Sequence, residues 1–244
     1  SPESKSEEMP TALDLTPCNW RYPYGLVGNM PVTLSVSEIK RRYDSQQTEE
    51  GWVYYPKELA QAPLPNRPVF LREEGLSPTE RGTAYHLAMQ YLDLATLSDR
   101  QATQQQLDWL VATGRMTQEE RDVLSLETLE RFCQTPLYPL VCKSSRMERE
   151  KRFLLSFPAG ALFSEAVNET LLIQGMIDCV VETEGEYDLI DYKTDQKTDP
   201  VSARERYGLQ LHLYALAAEQ LYGKKPRGCW LYFMTTGEVM KMDE

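Results

Sequence analysis

Two aspartates and a lysine, Asp178, Asp191 and Lys193, stand at spacings that a β-hairpin would bring together. They lie in the stretch GMIDCVVETEGEYDLIDYKT, residues 175–194, whose Glu184-Gly185 pair reads as a two-residue turn. A hairpin closed there pairs residues whose numbers sum to a constant. Asp178 then falls opposite Asp191 on one sheet face, with Cβ atoms roughly 5 Å apart. Facing carboxylates repel unless a cation sits between their oxygens, and a hard divalent ion meets that need. Lys193, two residues past Asp191, points to the same face. The apolar neighbours Met176-Ile177 and Leu189-Ile190 bed both aspartates in strands where uncompensated charge is expensive. The pattern therefore predicts a metal site with a fixed ammonium beside it, against the plainer alternative of a solvated hairpin face.

The elements that must position these groups follow from capping and periodicity. Ser35-Val36-Ser37-Glu38 forms a capping box that opens a short helix through IKRRYD, whose Lys40, Arg41 and Arg42 make a small basic patch. Ser77-Pro78-Thr79-Glu80 is a second box, with proline at the first helical position. In the helix that follows, Tyr85, Ala88, Met89 and Leu92 recur at core-facing spacing, while His86 shares a flanking stripe with Gly82, one turn earlier, which leaves room for something to approach the imidazole. Residues 98–146 read as two or three more helices, with starts at Thr117-Gln118-Glu119-Glu120 and Thr135-Pro136. The period then changes. Strands are predicted over 149–156, 171–183, 186–195 and 228–235, and one long helix over 200–222, on which Gln210 and Tyr214 share a face. That order predicts an α/β core with a modest sheet and helices packed on it.

Composition sets the outer bounds. At 244 residues and 41% hydrophobic content the chain can bury a substantial core. No apolar run approaches the roughly 20 residues of a membrane span, and the opening SPESKSEEMP lacks the character of a signal peptide, so a cytoplasmic location is expected. The five cysteines are scattered without a CxxC pair and read as buried thiols. A formal net charge of −11 argues against a free-standing nucleic-acid binder, though not against a local site to which a neighbour delivers the strand. No GxxxxGK[ST] loop occurs, so ATP hydrolysis by this chain is not expected.

In order along the chain, RGTAYH ending at His86, Gly175-Met176-Ile177-Asp178, Asp191-Tyr192-Lys193-Thr194 and Gln210-Leu211-His212-Leu213-Tyr214 resemble the GxxxH, GxxD, DYKT and QxxxY motifs of RecB-type nucleases in the PD-(D/E)xK superfamily. The segment WRYPYGLVGNMPVTLSVSEIKR further resembles the entry to the nuclease domain of the AddA family of helicase–nucleases. The single Cys229 after Tyr214 differs from the cysteine group that marks the iron–sulfur cluster of the partner family, AddB.

The resemblance implies a restriction-endonuclease-like α/β core, a small mixed sheet flanked by helices, with residues 98–146 as a helical insertion. Residues 35–244 would be the nuclease domain and residues 1–34 an extended lead-in from a helicase region, which makes the chain an excised piece. It implies His86, Asp178, Asp191 and the Tyr192 carbonyl as ligands of Mg²⁺, or of Mn²⁺, and Lys193 as the group that activates water or stabilises charge on phosphate. Asp178, Asp191 and Lys193 would be the catalytic set, with Gln210 and Tyr214 on the substrate side. Glu150, in REKRF, matches the family's RExPF with Arg152 in place of proline, leaving its role open. The implied activity is exonucleolytic cleavage of unwound DNA in double-strand break repair. Its partners would be a helicase region, which alone uses ATP, and a protein of the AddB type. An inactive nuclease-like scaffold that channels DNA or holds a partner, and a hydrolase of some non-nucleic substrate, are the alternatives.

Overall fold

The computed structural model describes residues 33–47, 76–161, 169–195 and 199–242, with side chains omitted for 42–47. The lead-in, the proline-rich loop at 56–68, Cys18 and the Arg42 side chain lie outside the described residues. The expected hairpin joins β3 (Thr170–Thr183) to β4 (Glu186–Lys193). Glu184 and Gly185 both have positive φ, 56° and 78°, which is the mirror-image turn whose twist matches a hairpin. Pairing runs from Thr183↔Glu186 to Cys179↔Ile190, the register the turn dictates. Along its other edge β3 pairs antiparallel with β2 (Arg146–Pro158). Helix α7 (Pro200–Tyr222), capped by Asp199 and ended by left-handed Gly223, crosses over to β5 (Gly228–Phe233), which is parallel to β4.

Two short strands complete a mixed sheet of six: β1 (Thr33–Ser35), parallel to β3, and β6 (Glu238–Lys241), antiparallel to β5. Neither was foreseen, because three or four residues are too few to display alternation. The strand predicted over 186–195 stops at Lys193. The one predicted over 228–235 stops at Phe233, where Gly237 turns the chain with φ 77°.

Each sheet face carries helices. Helix α1 (Val36–Gln47), opened by the reciprocal Ser35–Glu38 bonds, and α7 cover one face, burying Ile39, Ala203, Leu211 and Leu213 against Ile173, Ile177, Val180 and Leu189. Helices α2 (Pro78–Tyr91), α3 (Arg100–Ala112), α4 (Gln118–Asp122), α5 (Leu126–Glu130) and α6 (Tyr138–Cys142) cover the other, against Cys179, Val181, Ile190 and Tyr232. The boxes at Ser77 and Thr117 form as expected. Among the described residues the 98–146 segment thus holds four helices, more than predicted. The start expected at Thr135-Pro136 is displaced to Tyr138, because the Thr135 hydroxyl donates backwards to the Phe132 carbonyl instead of capping forwards.

The β2–β3 ribbon changes face partway along. Ile173 and Ile177 pack toward α7, but Cys179 and Val181, still odd-numbered, pack toward α2. On β2, Phe153 and Leu155 pack toward α7 while Met147 packs toward α2. Strict alternation forbids this without a local break. The break falls between the pairs Arg149↔Cys179 and Lys151↔Ile177, where Glu150 adopts φ 51° opposite Asp178. On the edge of β3 away from β2, β1 takes Leu172–Gln174 and β4 begins at Cys179, so Gly175–Asp178 face a fork between them.

Candidate metal centre

Asp178 stands where the β3–β4 ladder ends. In a continued ladder the Tyr192 N–H would turn to the Ile177 carbonyl. Instead it donates to Asp178 Oδ2 at 2.8 Å. The same oxygen is 3.5 Å from His86 Nδ1 on α2. Glu150, aimed by the break in β2, completes a group in which His86, Glu150 and Asp178 each offer a ligand atom, all within 4.8 Å of one another. Gly82, one turn before His86, is buried, and a Cβ there would meet Thr194 Oγ1 at 2.9 Å. The room next to the imidazole is therefore used by the residue that follows Lys193.

The electrostatics are those of a centre short of positive charge. Burial, then the charges of Asp191 and Glu150, hold the Asp178 carboxyl well above the usual carboxylate range, against the opposing pull of the Tyr192 N–H and Lys193. Burial also raises Glu150. For His86 burial lowers the pKa, outweighing the Asp191 charge, so near neutrality the ring is uncharged and its contact with Asp178 is not an ion pair. A neutral imidazole beside two desolvated carboxylates suits a divalent cation, which supplies the missing charge and accepts both nitrogen and oxygen donors.

Asp191 and Lys193 form a second, adjoining group on the α7 side. Asp191 is 1% exposed. Its Oδ1 accepts from Gln210 Nε2 at 3.1 Å, and its Oδ2 lies 2.5 Å from Lys193 Nζ, close but off the line of a hydrogen bond. Gln210 Oε1 accepts from Lys193 Nζ at 3.3 Å, and its amide also reaches the Tyr214 hydroxyl at 2.9 Å. Burial, followed by the Asp191 charge, raises the Tyr214 phenol. Of the residues expected to share one cation, His86 and Asp178 are together, Glu150 joins them, and Asp191 is turned to the ammonium, within electrostatic reach of both. Tyr192 contributes its N–H to Asp178 and sets its ring edge-on to His86, centroids 6.1 Å apart.

The first group opens on a cleft of about 880 Å³ whose walls include Arg81, Gln90, Met176, Asp195 and Met234. One residue escaped the sequence reading altogether. Tyr207, a turn before Gln210 on α7, places its ring 4.8 Å from Lys193 Nζ. Helical spacing from Gln210 was the available signal.

Over residues 54–243 the chain matches the PD-(D/E)XK nuclease superfamily, to which it belongs. Within that class it is similar to the AddA protein of Clostridium kluyveri, an ATP-dependent helicase/nuclease, at 33% identity over 230 residues, covering 92% of this chain and 18% of that protein. The protein of the same description from Clostridium botulinum is 31% identical over 234 residues, with the same coverage. The chain thus spans under a fifth of the length of the curated relatives it matches. Among the described residues no helix is long and apolar enough to cross a membrane.

Proposed function

We propose that this chain is a divalent-cation-dependent deoxyribonuclease, an exonuclease module that hydrolyses phosphodiester bonds in DNA strands, with Mg²⁺ as the working ion and Mn²⁺ as a substitute. The observation that carries the reading is the grouping of His86, Glu150 and Asp178 beside a separately anchored Lys193. A bound divalent ion would supply Lewis acidity toward phosphate and a lowered pKa for water.

The side chains account for the rest. Neutral His86 and the two carboxylates would hold the ion, with Asp191 and the Tyr192 carbonyl as further candidate ligands. Lys193, fixed by Asp191 and Gln210, presents a cation that needs no reorganisation as charge grows on the phosphate during attack. Gln210 is occupied by Asp191, Lys193 and Tyr214, which supports a bracing role over direct contact with the strand.

From the likeness to AddA helicase/nucleases we infer that the module works beside motor domains that consume ATP. Strands unwound in cytoplasmic double-strand break repair and recombination, and a second protein of the AddB type, complete the reading. Digestion of end-labelled single-stranded DNA tests the activity. Mg²⁺ should support shortening of the strand and EDTA should stop it; an intact strand with Mg²⁺ and Mn²⁺ alike would overturn the proposal.

A further inference from the structure

Tyr207 is buried, yet three cations from three elements lie against its ring: Lys40 Nζ from α1 at 4.7 Å, Lys193 Nζ from β4 at 4.8 Å and Arg206 Cζ from α7 at 5.3 Å. An aromatic face attracts a cation, but gathering three at one ring concentrates like charge that the packing does not require. Two carboxylates answer them. Asp191 takes Lys193, and Asp195 accepts from the Tyr207 hydroxyl while lying 3.3 Å from Arg206 Nη2. The Arg206–Asp195 pair is open to water, with side chains 52% and 41% exposed. Asp195 is also a wall of the cleft onto which His86, Glu150 and Asp178 open. A cationic cluster thus adjoins the candidate centre, in a chain of net charge −11.

Resting on the reading of the chain as a DNA nuclease, we propose that Lys40 and Arg206, gathered on Tyr207 beside Lys193, bind a strand phosphate next to the one attacked. Asp195 is the exchangeable counter-ion that holds Arg206 until the strand arrives. Exposed ion pairs contribute little, so a phosphate displaces Asp195 at small cost, and the planar guanidinium suits two phosphate oxygens at once. Lys193 serves the reacting phosphate, while Lys40 and Arg206 serve its neighbour and fix the strand's register.

The test is the affinity of the 244-residue chain for labelled oligothymidine and a mixed-sequence strand, measured with Ca²⁺ over a salt series, together with wild-type cleavage in Mg²⁺. Lys40→Gln and Arg206→Gln should each weaken binding several-fold, equally for both sequences, and flatten the log–log salt dependence by about 0.7 per lost contact. Asp195→Asn should tighten binding, and that gain should vanish when Arg206→Gln is already present. Variants that bind with unchanged affinity and salt slope, in a chain that cleaves, would overturn the phosphate site and leave the nuclease reading standing. A wild type that neither binds nor cleaves would overturn both.

Discussion

At the scale of single residues, the centre is built from groups whose surroundings hold them away from their ordinary state. Asp178 is raised by burial and by its acidic neighbours, so the folded chain binds its proton more tightly than the unfolded chain does. Stability from this group is present at low pH and is lost as pH rises from the ordinary carboxylate range through the elevated folded value. Metal-free protein should therefore melt at progressively lower temperature over that interval. Asp178→Asn should remove the slope, raise the neutral-pH melting temperature by a few degrees and abolish cleavage. A parallel, undiminished slope in the variant, followed by calorimetry, would contradict the assignment. Glu150 is held at φ 51°, where a side chain costs roughly 1–2 kcal/mol. Glu150→Gly should relieve that strain and the burial of the carboxylate, a net gain of about 0.5–1 kcal/mol after glycine's entropy, while cleavage falls sharply. Loss of stability on denaturant unfolding would show that Glu150 is there for packing.

At the scale of elements, the site depends on how β4 and α2 meet. Gly82→Ala would press a methyl group on Thr194 Oγ1, at 2.9 Å, and displace the end of the strand that carries Lys193. Helix propensity gains about 1 kcal/mol from the change, so stability should hardly move while kcat drops several-fold. Thr194→Ala removes the opposing atom and should restore kcat in the double variant; failure of that rescue in steady-state kinetics would count against the close approach. Much of this layer was legible beforehand. The capping boxes at Ser35, Ser77 and Thr117, the Glu184-Gly185 turn and the full span of α7 each rest on local chemistry that a sequence displays. The break in the β2–β3 ribbon was not legible. It leaves the numbering of the pairs intact on both sides, so counting from the turn correctly aligned Asp178 with Asp191 yet gave no sign that the ladder stops one pair short. Glu150 entered the centre for the same reason, since nothing local to a glutamate announces a positive φ.

At the scale of the molecule, the acidic balance and the small share of its relatives' length shape how such a module would work. With few phosphate contacts of its own, the chain alone should bind strands weakly and lose them further as salt rises. Attached motors and a partner protein would raise the local strand concentration at the site. Digestion by this chain should be distributive and salt-sensitive beside that of an assembled helicase–nuclease on the same labelled duplex with ATP; processive, salt-resistant digestion by the chain alone would refute the need for delivery. The central claim is narrower, that one group of residues holds the ion and an adjoining one holds the working ammonium. Calorimetric titration of Mn²⁺ into the wild type, Asp178→Asn and Lys193→Ala, with kcat measured on the same samples, tests it most directly. The account predicts binding lost in Asp178→Asn but nearly intact in Lys193→Ala, whose kcat falls roughly 10²–10³-fold. Undiminished Mn²⁺ binding by Asp178→Asn, or loss of binding in Lys193→Ala, would contradict it.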